Sequence, residues 1–76
     1  MYPRIRDLRE DHDLTQTQVA KTLGMSQTGY SKYETGENDI PTAVLIKLAR
    51  LYKTSIDFLL GETDDPKPPR KRIPKN

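Results

Sequence analysis

Cysteine is absent and histidine occurs once, at His12. The first absence excludes disulfides and thiolate metal sites, and one histidine cannot build a histidine-ligated centre alone. No apolar run approaches the ~18 residues a membrane span needs. The opening residues, MYPRIRDLRE, are charged with no apolar segment behind them, so no secretory signal is expected. Alternating runs of Val, Ile and Thr are missing, as are Asn-Gly and Asp-Gly hairpin turns. What is present is 76 residues, 33% apolar and 32% charged. That is one domain, near the size at which a core is only just sufficient. A cytoplasmic location is expected, with no metal, cofactor or small-molecule ligand.

Charge and apolar content divide the chain unevenly. Residues 1–60 carry eight Lys/Arg and eight Asp/Glu, whereas residues 61–76 carry five against three and supply the whole net charge of +2. Residues 66–76 hold one apolar side chain, Ile73, with four prolines and five cations. Such a segment buries too little surface to offset its ordering entropy. The expected division is a domain over 1–61 and a basic, proline-rich tail over 62–76. The tail is either a solubilising end or linker, or an arm that adds phosphate contacts.

The punctuation is helical throughout. Pro3 suits a first turn, with Ile5, Leu8 and Arg9 following at helical steps; this helix runs to about His12, itself expected to be a solvated helix end. Thr15-Gln16-Thr17-Gln18 fits a capping box, Val19, Ala20 and Leu23 form an inner face, and Gly24 stops that helix. Ser26 caps a third helix from Gln27 to Glu34, and Gly36 ends it. Thr42 is read as the cap of a fourth helix over 43–53, the most apolar segment, in which Val44, Ile46 and Leu51 widen the stripe of Leu45, Leu48, Ala49 and Tyr52. Ser55 caps a short fifth helix, Ile56 to Leu60, closed by Gly61. Thr54, Ser55 and Asp57 are read as capping chemistry.

Residues 16–35 carry the functional signal: a helix, a short turn centred on glycine and a second capped helix form a helix-turn-helix. Val19, Leu23, Met25, Tyr30 and Tyr33 are the inward set. Gln27, Thr28, Ser31 and Lys32 face outward as donors and acceptors near a helix start, the part of a recognition helix that meets base edges in the major groove. Glutamine suits adenine, lysine suits guanine and a threonine methyl suits the thymine methyl. Gln16 opens the second helix, where a backbone amide and a side chain together can hold a phosphate.

Over residues 4–61 the chain resembles the phage repressor/Cro-like helix-turn-helix family, the XRE family. The shared elements are the LR of helix one, TQ-x-x-x-A before Gly24, Ser26 through YSKYE, the following glycine, IP before helix four, LIKLA, and S-x-D-x-LLG. The resemblance implies an all-α, compact five-helix lambda-repressor-like domain, of bacterial or phage origin and nucleoid-associated. It implies binding to double-stranded, palindromic operator DNA, usually as a homodimer. It carries base-contact roles to Gln27, Thr28 and Lys32, and phosphate roles to Gln16, Ser26, Tyr33 and the loop from Thr35 to Asn38. It also implies a structural ion pair between Arg9 and Glu34. Gly29 inside the recognition helix, and Glu37 and Asp39 where cations are common, depart from the family pattern.

No constellation for nucleophilic or acid–base catalysis exists, so the chain is not read as an enzyme. A regulator of transcription is expected, with repression the default for a domain that has no room for a sensor. On the fifth helix Ile56 and Leu59 supply an inward face, which leaves Phe58 and Leu60 partly exposed; the candidate dimer seam is Ile56, Phe58 and Leu60. The rival reading is a helix-turn-helix protein-interaction module, such as an antitoxin or partner-sequestering regulator. Phe58, Leu60 and the acidic loop favour that rival.

Overall fold

The computed structural model describes residues 2–68. The basic stretch from residue 69 onward, including Ile73, lies outside them. Five helices follow in order: α1 (Pro3–Asp11), α2 (Gln16–Leu23), α3 (Gln27–Thr35), α4 (Thr42–Leu51) and α5 (Ile56–Leu60). No strand occurs among the described residues.

Local chemistry places most of the boundaries. Pro3 opens α1, where its missing N–H is no loss. Thr15 forms the full capping box: its hydroxyl accepts from Gln18 N at 3.1 Å, and the Gln18 side chain accepts from Thr15 N at 2.8 Å. Ser26 and Ser55 cap α3 and α5 through Gly29 N and Phe58 N. Gly24 ends α2 at φ +74°, a left-handed conformation that a residue without Cβ adopts freely.

α4 corrects the sequence reading at three points. Its cap is Pro41, without a side-chain hydrogen bond, and Thr42 is the first helical residue. The proline holds an extended backbone, φ −60° and ψ 150°, and so sets the turn into the helix without a hydroxyl. The helix stops at Leu51, because Tyr52 leaves helical geometry and Lys53 turns to φ +53°. Ile46 does not widen the buried stripe but is 37% exposed. It lines an open groove of about 620 Å³ with Ala49, Arg50, Ile56 and Pro68 among others.

The core draws one or more side chains from every helix. Ile5 comes from α1, Val19, Ala20 and Leu23 from α2, Tyr30 from α3, Leu48 and Ala49 from α4, and Leu59 from α5, with Ile40 and Tyr52 from the connections. Tyr30, Ile5, Leu48, Leu59 and Val19 are fully buried, and the four aliphatic ones each contribute about 1.5–3 kcal/mol. Helices of this length are marginal alone in water, so this shared core fixes their directions.

The chain beyond Gly61 also hydrogen-bonds to the body. Arg4 donates to the carbonyls of Phe58 and Thr63 and to the Asp64 carboxylate, and its guanidinium lies over the Phe58 ring at 4.1 Å. Thr54 is buried and donates to Pro66 O at 2.7 Å; it is a clasp on the following segment rather than a cap. His12 is exposed, yet its ring sits 5.1 Å from that of Tyr52 and its Nδ1 is 2.9 Å from Leu8 O.

The two threonines separate capping from mere position. Thr15→Ala should lower stability by about 1 kcal/mol through loss of the capping box, whereas Thr42→Ala should change it by less than about 0.5 kcal/mol. Urea melts of both variants beside the parent protein measure the difference.

Candidate nucleic-acid interface

Tyr30 decides how α3 faces. Its ring is fully buried and Glu34, four residues on, is buried beside it. Residues three and four apart share a helix face, so Gln27, Thr28, Ser31 and Lys32 fall together on a face next to that of Tyr30 and Glu34. Gln27 and Thr28 are exposed, and Ser31 and Lys32 are half-buried. The four expected base-reading residues therefore form one outward surface on the first turns of α3. Tyr33 is half-buried and meets Tyr30 edge to face at 6.3 Å.

Gly29 has a local reason to lack a side chain. A Cβ there would come within 3.1 Å of Met25 Cε and 3.2 Å of Ser26 Oγ. The second of these is the capping oxygen of the same helix. The helix-propensity cost of about 1 kcal/mol is set against an undisturbed cap and an undisturbed Met25.

The expected phosphate residues divide into two places. Gln16, half-buried at the start of α2, is brought directly to α3: Gln27 Nε2 donates to its Oε1 at 2.6 Å. Ser26, Thr35 and Asn38 lie at the two ends of α3. The Ser26 hydroxyl is used as a cap, and the Thr35 hydroxyl donates to Lys32 O and lies 3.4 Å from Glu37 N. Asn38 is exposed, and its backbone N–H closes on Lys32 O at 3.2 Å.

Arg9 and Glu34 form the ion pair. Arg9 Nε lies 2.6 Å from Glu34 Oε2 and its second nitrogen contact to Oε1 is 3.2 Å. The side chains are only 13% and 4% exposed. Arg9 also donates to Leu14 O at 2.9 Å, and Gln16 Nε2 donates to Glu34 Oε1 at 3.0 Å. One guanidinium thus joins the end of α1, the turn before α2 and the end of α3. A cleft of about 280 Å³ beside it is lined by Arg6, Arg9, Gln16, Glu34 and Thr35.

The electrostatics follow from that crowding. Burial pushes the Glu34 carboxyl up, but the Arg9 hydrogen bonds, the facing Tyr30 hydroxyl, Gln16 and the Arg9 charge outweigh burial and hold it below the usual carboxylate value. The Tyr30 hydroxyl faces Glu34; among the described residues neither it nor the Tyr52 hydroxyl makes a hydrogen bond. Burial, reinforced by the Glu34 charge, raises the Tyr52 phenol to about 12.

Sequence reasoning anticipated that Gln27, Thr28, Ser31 and Lys32 share a face of α3 but missed Arg4 and the Gln16–Glu34 contact. Arg4 sits in a charged helix with no motif around it, and its partners lie 54 to 60 positions away. The proposed seam residues Ile56, Phe58 and Leu60 are all half-buried, and the Arg4 guanidinium covers one face of Phe58.

Comparison with known proteins gives concordant findings. The helix-turn-helix family model matches residues 5–59. YobD, an uncharacterized HTH-type transcriptional regulator of Bacillus subtilis, is 44% identical over 69 residues, covering 91% of this chain and 62% of YobD. The cryptic phage CTXphi transcriptional repressor RstR of Vibrio cholerae serotype O1 is 42% identical over 59 residues, covering 76% of this chain and 52% of RstR. The chain therefore spans little more than half the length of these relatives. Among solved structures, the P22 c2 repressor protein in complex with a synthetic operator superposes with a TM-score of 0.69. It is 30% identical, over 75% of this chain and 86% of that one.

The ion pair sets a test with a definite sign. A carboxyl held low in the folded state stabilises fully above the ordinary value near pH 4.3 and loses that contribution as pH falls through its lower folded value. In Arg9→Met the carboxylate is buried without its cation, which should cost about 3 kcal/mol or more at pH 7. Protonation then relieves the variant while it weakens the parent. Urea melts between pH 7 and pH 3 should show the gap between the two proteins narrowing as pH falls; a constant gap contradicts the assignment.

Proposed function

Because this chain belongs to the helix-turn-helix family of XRE-type, phage-repressor-like regulators, we propose that it binds double-stranded DNA sequence-specifically and regulates transcription, most simply as a repressor. α3 enters the major groove and its outward face reads base edges. The observation that carries this reading is the placement of Gln27, Thr28, Ser31 and Lys32 on one face of α3 while Tyr30 and Glu34, on the neighbouring face, are buried and anchor the helix. Burial of the anchors makes the helix a rigid probe, so its side-chain tips meet the groove with little further ordering entropy.

Gln16 and the ends of α3, at Ser26, Tyr33, Thr35 and Asn38, are assigned to phosphates. Such contacts set position and register, while the face of α3 carries the sequence information. A homodimer with its seam at Ile56, Phe58 and Leu60 presents two such helices to half-sites about 34 Å apart, one helical turn of DNA. The protein acts in the cytoplasm, on the nucleoid, and does no chemistry on its ligand. No helix among the described residues is long and apolar enough to cross a membrane.

The reading is tested by titrating protein against a duplex selected from a random pool and against mixed DNA. Lys32→Ala and Thr28→Ala should weaken binding to the selected duplex by up to about 1–3 kcal/mol and leave mixed DNA nearly unchanged. Equal losses on both DNAs reject base reading, and no binding to either at low salt returns the case to a protein-interaction module. If about six phosphates are held, log K should fall against log salt with a slope near −5; a flat response contradicts the phosphate contacts.

A further inference from the structure

A directional chain of hydrogen bonds runs from the buried ion pair to the tip of the reading helix. Arg9 donates to both oxygens of Glu34. Gln16 Nε2 donates to Glu34 Oε1 at 3.0 Å, and Gln27 Nε2 donates to Gln16 Oε1 at 2.6 Å. The direction does not depend on telling amide nitrogen from amide oxygen. An ionised carboxylate can only accept, so the Gln16 amide must turn its nitrogen to Glu34. Its oxygen then faces Gln27, which must answer with an N–H. One N–H and the carbonyl oxygen of Gln27 stay free for a base.

We infer that Glu34 is a positioning residue for base recognition: its carboxylate sets the polarity of Gln16, and through it Gln27 presents one donor and one acceptor to the major groove. This rests on the reading of α3 as the DNA-reading helix. One donor beside one acceptor matches adenine, which offers N6–H and N7. It mismatches guanine, which offers the two acceptors O6 and N7. Gln27 alone, free to turn over, could also offer both its N–H groups to guanine. The selection of adenine therefore lies in a carboxylate that touches no base.

Glu34→Gln carries a specific consequence. Arg9 keeps the shorter contact with the remaining oxygen, which places the new amide nitrogen towards Gln16. Gln16 then turns its oxygen to that nitrogen and its own nitrogen to Gln27. The Gln27 oxygen becomes the acceptor in the chain, and its N–H groups are left for the base. The preference shifts from adenine towards guanine.

The experiment measures affinity for the selected duplex and for single-base variants of it, using the full chain. The position read by Gln27 is the one where Gln27→Ala abolishes discrimination. There the parent protein should prefer adenine over guanine by about tenfold or more. Glu34→Gln, shown by its melt to be folded at the assay temperature, should lower that ratio at least severalfold, while binding to mixed DNA stays unchanged. Gln16→Met interrupts the chain and leaves the ion pair intact, so it should lower the ratio too; an unchanged ratio there overturns the proposal even if Glu34→Gln does not fold. An unchanged adenine-to-guanine ratio in the folded variants overturns the positioning role. So does the absence of any position read by Gln27 in a parent that still discriminates through Lys32. A parent protein that binds selected and mixed DNA equally fails earlier, at the reading of α3 itself.

Discussion

The Arg9–Glu34 pair is the constraint on which the rest of the structure depends. Burying two charges is costly, and the Coulomb gain repays it only when geometry and extra hydrogen bonds are good. Here the guanidinium reaches both carboxylate oxygens and a backbone carbonyl, and the carboxylate takes a further bond from Gln16. The net contribution to stability is small by comparison with the apolar core. Its value lies in geometry, because a displaced α1 or α3 would leave a charge buried without a partner. The pair therefore penalises wrong placement of α3 more than it rewards folding as such.

Short helices need such a device. α2 and α3 are eight and nine residues long, too short to persist alone. The apolar core brings them together through Val19, Ala20, Leu23 and Tyr30, but apolar contact is non-directional. Caps and left-handed glycines set where each helix starts and stops, and the polar network sets how α3 is rotated against α1 and α2. A helix fixed in rotation holds the same side chains outward every time, which the proposed discrimination between bases requires.

Much of this was legible in the sequence because its marks are local. The Thr15–Gln18 box, the Ser26 and Ser55 caps and the glycines at 24, 36 and 61 are spaced by a few residues, and each stands where it was expected. The outward set on α3 followed from helical periodicity. Less legible was anything made by distant parts of the chain. The Arg4 contacts with Phe58, Thr63 and Asp64, and the Thr54–Pro66 hydrogen bond, leave no periodic trace. At α4, Thr42 looked like a cap by residue type, but the proline before it had already set the turn. Ile46 looked like core by hydropathy, but α4 has more apolar positions than one helix face can bury. The link from Gln16 to Glu34 was hidden for another reason: a glutamine at a helix start reads equally well as a solvated end.

The most direct test of the central claim, that a buried scaffold holds α3 outward as a rigid reader, is chemical-shift mapping. Isotope-labelled protein is titrated with a duplex selected from a random pool, and each backbone and side-chain amide is followed. The account expects the largest changes at Gln27, Thr28, Ser31 and Lys32, with Gln16 beside them, while Ile46 and its neighbours on α4 stay still. Largest changes on α4, or an α3 that does not respond to saturating DNA, would contradict it.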